Sequence, residues 1–306
     1  MTLGTHPYVL GRTMLILWNV VPFAICLVVL AALIERFGRT DFARVFVMAA
    51  ATFGTFLTTF VTVLNNHLPA AVCAAILLYA LVRIWFDGER RWYLFAVAGL
   101  FAALLVACEL PGAALAGLVT LALLAVALRP TLLVFVPTAA IVAAGFFHTN
   151  WIAHKSLRPP YMHRSEGDNW YDYEYTREKD GRVIESYWPN PQGVDQGEKS
   201  PVVYAVHVLV GHHGIFSLTP VWLVSVAGAV IWLRGQGGRN LQYFAAILAV
   251  TTLACLAFYL SRGAVYRNYG GVSSGLRWVF WLAPLWLILA VPGVDRMARN
   301  PWLRGL

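Results

Sequence analysis

Charge is scarce in this chain. Of its 306 residues, 12% are Asp, Glu, Lys or Arg, against roughly 25% in a soluble domain. A soluble fold of this size would lack the charge to cover its surface, so a soluble enzyme is excluded. With 59% apolar residues, so is a disordered chain. Lysine is nearly absent: Lys155, Lys179 and Lys199 all lie in one polar stretch, 148–201, and the other basic residues are 20 Arg. The four cysteines (Cys26, Cys73, Cys108, Cys255) all sit in apolar runs with no CxxC pair. That argues against a disulfide scaffold and against a cysteine metal site.

What the chain has instead is long apolar runs. A membrane-spanning helix needs about 20 mostly apolar residues. Nine runs qualify: 14–34, 45–64, 68–86, 93–108, 110–128, 131–148, 215–233, 243–260 and 277–293. Residues 93–128 are one apolar stretch, about 54 Å long as a single helix at 1.5 Å per residue. Glu109-Leu110-Pro111-Gly112 interrupts it, and Pro with Gly breaks helices, so a helical hairpin turning at Glu109 is expected. The sequence predicts an all-α polytopic membrane protein of about nine transmembrane helices. Helices 1–6 fall in residues 1–148 and an extracytoplasmic loop domain in 149–202. A re-entrant or interfacial segment and helices 7–9 follow in 203–306.

Arginine placement orients this layout. Alternate loops collect 12 Arg in one set (36, 39, 44, 83, 90, 91, 129, 234, 239, 296, 299, 304) and four in the other (12, 262, 267, 277). The positive-inside bias puts the larger set in the cytoplasm. The N-terminus then lies outside and the C-terminus inside. Outside the polar stretch there are 16 basic and 6 acidic residues. That excess is read as topology anchors contacting membrane lipid, and no nucleic-acid partner is expected.

Within the polar stretch, aromatic and acidic residues alternate from Trp170 to Tyr175, and Lys179-Asp180-Gly181-Arg182 and Val183 to Trp188 follow. Alternation around Asp-Gly predicts a small β-hairpin with Tyr171, Tyr173 and Tyr175 on one face. All eight His (6, 67, 148, 154, 163, 207, 212, 213) fall on the expected outer side. The span interiors carry almost no ionisable groups, where a transport path would place them. A site at the outer membrane surface is therefore expected. Its candidate acids and bases are Glu109, His67 and Asp168. Arg267 and Arg277, cations on the side that the bias disfavours, are candidates for a lipid phosphate, because a guanidinium binds phosphate bidentately. His212, His213, Tyr171 and Tyr173 are further substrate-contact candidates. Zinc needs three or four convergent ligands, and no such spacing occurs, so no metal is assigned. Gly271-Val272-Ser273-Ser274-Gly275 matches G-x-S-x-G but lies between two spans, not on a strand–turn–helix elbow, so it is not read as a nucleophile.

Two stretches carry a family resemblance. His212-His213-Gly214-Ile215-Phe216-Ser217-Leu218-Thr219-Pro220 resembles the "HGLFSWTP" stretch of bacterial membrane glycosyltransferases of the GT-C class. Gly270-Gly271-Val272-Ser273-Ser274-Gly275-Leu276-Arg277, followed by Pro284, resembles their "GG-x-S-x-G-x-R…P" stretch. The relatives are of the protein O-mannosyltransferase and aminoarabinose-transferase type. The resemblance implies a site on the outer face of a bacterial plasma (inner) membrane. It implies a polyprenyl-phosphate sugar as donor substrate, without a further cofactor. It also implies a catalytic acid in the first outer loop. Residues 1–14 hold no Asp or Glu, so the expectation is of a chain shortened at its N-terminus and, alone, without transfer activity. The alternative expectation is a non-catalytic membrane protein: a transporter, flippase or assembly subunit.

Overall fold

The computed structural model describes residues 2, 4–159, 173–187, 189–270 and 275–300. The chain is mainly helical, with one two-stranded sheet among the described residues. In chain order the first helices are α1 (Pro7–Phe37), α2 (Asp41–Val61), α3 (His67–Trp85), α4 (Trp92–Cys108), α5 (Leu110–Val126) and α6 (Leu128–His154). The strands β1 (Glu174–Thr176) and β2 (Val183–Glu185) follow, then α7 (Pro201–Leu209) and the single turn α8 (Ile215–Leu218). The chain closes with α9 (Val221–Leu233), α10 (Arg239–Leu260) and α11 (Arg277–Arg299).

Six of these helices, α1, α2, α3, α6, α10 and α11, are long and apolar enough to cross a membrane. The other three runs expected to cross, α4, α5 and α9, form shorter apolar helices of 10–17 residues. Local chemistry explains the shortening. Glu109 leaves the helical region at φ −139°, ψ 106°, and ends α4. The expected run 215–233 is cut at Thr219-Pro220. Proline has no N–H to give and pushes the residue before it out of the α region, and Thr219 sits at φ −139°, ψ 76°. Prolines also explain the two π-turns. Ile16–Val20 in α1 lies just ahead of Pro22, and Thr131–Phe135 in α6 just ahead of Pro137. A wider turn there gives the ring room and absorbs its missing donor. The first unit also runs further than expected, since α6 continues past residue 148 to His154.

Contacts sort the helix ends into two groups. At one end Arg36 pairs with Asp87 at 3.2 Å, and Arg90 Nη2 donates to Val126 O at 3.4 Å. Asp295 of α11 accepts from the backbone N–H of Arg39 and Thr40 and from the Thr40 hydroxyl, at 2.8–3.1 Å. The rings of Phe37, Phe86, Trp232 and Phe244 cluster there, with Phe37 5.5–5.7 Å from each of the other three. At the other end Asn66 meets Cys108, Cys255 meets Pro111 and Tyr204 meets Asn268. The first is the arginine-rich end. The second holds His67, His207, His212 and His213, and the helices that carry His6, His148 and His154 point those residues toward it.

The core centres on α3 and α11, where residues 67–75 and 283–295 are continuously buried. α9 packs on α11 with backbone in contact. A Cβ at Gly228 would lie 1.8 Å from Leu289 O, and one at Gly293 2.6 Å from Val224 O. Small residues that let helix backbones touch are how apolar helices associate when the surroundings are as apolar as the side chains. α6 is the opposite case: from Val136 to His154 it buries no residue, and it exposes Leu133, Ile141, Phe147, Trp151 and Ile152. Such a surface matches a hydrocarbon solvent, not water.

The hairpin forms where the alternation predicted it, with shorter strands: Tyr175 pairs with Ile184 in an antiparallel register of three residues per strand. Tyr173 and Tyr175 share a face, their rings 6.2 Å apart. Tyr171 and Asp168 lie outside the described residues.

Gly228→Leu is expected to lower the unfolding midpoint in detergent, by about 1–3 kcal/mol or more, because side-chain volume would have to displace backbone. Gly117→Leu, in open space on α5, is the control. Equal midpoints for the two variants would refute the close α9–α11 contact.

Candidate functional site

The histidine end is built on two helix starts and two turns. α3 begins at His67. Asn65 Oδ1 accepts from Leu68 N–H at 2.8 Å, doing the N-terminal capping that Asn favours. Asn66 turns its amide to the neighbouring break, where Nδ2 donates to Cys108 O at 2.8 Å and to Glu109 Oε1 at 2.9 Å. His67 Nδ1 is hydrogen-bonded to the same Glu109 oxygen. Both side chains are 7% exposed. The structure thus joins two of the residues singled out as candidate acids and bases. Burying such groups is costly unless they are hydrogen-bonded to each other, and here they are.

A second cluster gathers around Tyr269. His213 stacks on its ring at 4.5 Å and 12°, and His207 meets it edge-on at 6.0 Å. His207 and His212 stack at 5.3 Å. Beneath them Tyr204 is fully buried and donates to Asn268 O at 3.0 Å. Burial pushes the Tyr204 phenol well above its ordinary range, with Tyr269 adding to the rise and Arg262 and Arg267 opposing it. Tyr269 is raised by burial and by Glu198.

The two arginine candidates have different surroundings. Arg267 donates from Nε to Arg262 O at 2.8 Å and from Nη1 to Lys199 O at 2.8 Å, while Glu198 N–H donates to Arg267 O. Its guanidinium ties the end of the polar stretch to the 262–268 turn. Arg277 is half-buried, and its Nε is buried with no hydrogen-bond partner. A buried unpaired donor is uncommon and asks for an explanation. The residue before it, Leu276, helps wall a small, mostly apolar pocket with Phe56, His213, Leu218, Trp222 and Phe280 among others; Arg277 itself is not part of that lining. His213 Nδ1 is likewise buried and unpartnered. Aromatic rings join this cavity to the His67–Glu109 pair: Phe60 lies edge-on to both His67, at 6.1 Å, and Phe280, at 5.0 Å. On another side Tyr259 stacks on Trp278 at 5.3 Å, next in sequence to Arg277.

The site therefore brings together His67 with Glu109, and His213 with His212. Tyr173 lies on the hairpin beside Tyr175. Tyr204, Asn268 and Tyr269, ordinary loop and helix residues by type, and the Asn65-Asn66 turn are not among the candidates that residue type singles out. Among the described residues no group of three or more His, Cys, Asp or Glu is placed to hold a metal ion. Comparisons with protein-family models, with curated proteins and with solved structures find no match.

Tyr204 supplies a pH-dependent test. An unfolded tyrosine loses its proton at about pH 10, whereas the folded protein holds that of Tyr204 to higher pH. Folding stability should therefore fall as pH rises above about 10. Tyr204→Phe should cost about 0.5–1.5 kcal/mol at neutral pH through the lost hydrogen bond, and flatten that alkaline decline. Denaturation curves at pH 7 to 11 in one detergent check both; an unchanged decline in the variant would refute the assignment.

Proposed function

We propose that this chain is an integral-membrane glycosyltransferase-like protein of the GT-C type. Against the expectation of a chain inactive on its own, it passes a sugar from a polyprenyl-phosphate carrier to an acceptor at the extracytoplasmic face of a bacterial plasma membrane, with the base supplied by side chains present here. In this reading the short helices α4, α5 and α9 complete nine passes. The histidine end is the outer one, the N-terminus is outside and the C-terminus is cytoplasmic.

One observation carries the reading: Arg277, whose Nε is buried and unpartnered, follows directly on Leu276, a wall residue of an apolar pocket. An anion attached to an apolar chain is the ligand that such a pair suits, and Arg is the residue that recognises phosphate by planar, bidentate hydrogen bonding. The sequence stretches around His213 and Arg277, which border this cavity, are the same two that resemble the GT-C class. In transfer, the bond from the anomeric carbon to the phosphate oxygen breaks and the electron pair stays on the phosphate. The acceptor oxygen bonds that carbon and loses its proton to a base. Arg277 offsets the charge on the departing phosphate, the kind of fixed electrostatic support that lowers such barriers. Arg267 holds the turn. The Tyr173–Tyr175 face offers a stacking surface for sugar. The scarcity of ionisable groups inside the spans disfavours the transporter alternative.

The test is binding of polyprenyl phosphate to the purified chain in lipid nanodiscs. Arg277→Ala is expected to weaken it at least tenfold, about 1.4 kcal/mol, and Arg277→Lys to weaken it less. Equal binding by wild type and Arg277→Ala would overturn the proposal. So would carrier-independent solute flux in liposomes, which would favour transport.

A further inference from the structure

The His67–Glu109 pair does more than close a helix break. Resting on the transfer reading above, we propose that His67 accepts the proton of the acceptor hydroxyl and that Glu109 is its positioning residue. The reasoning starts from an atom that can only accept. Cys108 O is a carbonyl, so the Asn66 amide must turn Nδ2 toward it, and that Nδ2 also reaches Glu109 Oε1 at 2.9 Å. Oε1 accepts that bond, and as a carboxylate oxygen it has no proton of its own to donate. The hydrogen bond from His67 to the same oxygen is then donated by Nδ1–H. With the proton on Nδ1, the lone pair of the imidazole is on Nε2, the arrangement in which a carboxylate sets the tautomer of a working histidine.

The geometry is held from both sides. Glu109 N–H donates to Leu105 O, and Glu109 O accepts from Gly112 N–H, both at 2.8 Å, so its backbone is fixed between α4 and α5. His67 sits on a helix start already capped by Asn65. Capping needs neither His67 nor Glu109: Asn65 serves the start of α3 and Asn66 serves the end of α4. A purely structural break would be complete without the imidazole. The pair lies just under the exposed Asn66, at the end where an acceptor would arrive. It shares the ring of Phe60 with the cavity wall at Phe280.

In the step proposed, the acceptor O–H proton moves to Nε2 as the oxygen bonds the anomeric carbon and the carrier phosphate leaves with its electron pair. Glu109, ionised, stabilises the imidazolium that results. A positioned base of this kind contributes about 10²–10⁴-fold.

Two measurements test this separately from the carrier site. In the ¹⁵N-histidine-labelled chain in nanodiscs, neutral His67 should be the Nδ1–H tautomer, and Glu109→Ala should move it toward Nε2–H. In a transfer assay, His67→Gln should lower turnover at least 100-fold while leaving polyprenyl-phosphate binding unchanged. Added imidazole should restore part of the activity of His67→Gly, a rescue that a structural role would not show. An Nε2–H tautomer in the wild type, or His67→Gln turnover within threefold of wild type, overturns the proposal. Absence of transfer by the wild-type chain strikes the glycosyl-transfer reading instead, and the tautomer measurement then decides whether Nε2 is the basic atom.

Discussion

The constraint on which this structure depends is that backbone polar groups freed where a helix breaks inside an apolar bundle have no water to turn to. Several of the breaks are closed by side chains, some of them from distant parts of the chain. Phe60 O and Val63 O, at the end of α2, accept from the amides of both Asn19 and Asn65. Asn19 is fully buried and comes from the π-turn of α1. Cys108 O accepts from Asn66, and Asn268 O from Tyr204. At the arginine-rich end Asp295 takes the free N–H groups of Arg39 and Thr40. These bonds tie α1 to α2, α3 to α4, and α11 to the first turn. The polar groups of the candidate site are set in place by the same ties.

The two ends use their polar residues differently. At the arginine-rich end the guanidinium groups meet carboxylates in the turns, as Arg36 and Arg83 do with Asp87. Arg44 does the same with Asp41 and Glu35. Exposed pairs of this sort add little stability each. At the histidine end the polar groups are sunk among rings. Three buried nitrogens there, Nε of Arg277, Nδ1 of His213 and Nε1 of Trp281, have no protein partner. In low-dielectric surroundings an unpaired polar atom costs more than it would in water, so a ligand that supplied the missing bonds would gain from each.

Much of the helix layout was legible because its signals are local. Runs of apolar residues, the Leu110-Pro111-Gly112 break and the alternation before Gly181 each act within a few residues, and the helices and hairpin form where those signals lie. Lengths were less legible. The run 215–233 is long and apolar enough in sequence to read as one span, yet it contains Thr219-Pro220, and prolines also mark helix starts, as at Pro69 and Pro201. Whether Pro220 starts a helix or interrupts one depends on the backbone before it, and Thr219 lies outside the helical region.

The amino-acid sequence by itself determined that the chain is helical and apolar, where most of its breaks fall, and that most of the arginines outside the polar stretch lie at the end opposite the histidines. Composition and period act along the chain, so they need no fold to be expressed. Only the tertiary structure decided which candidates meet. His67 and Glu109 are 42 positions apart, and nothing in either neighbourhood specifies the other. They touch because α3 and α4 pack side by side with their breaks at the same height. Arg267 and Arg277 looked alike in sequence, yet one is bonded to carbonyls and the other keeps a free buried nitrogen. That difference is one of packing geometry, which is set by contacts between segments distant in the chain.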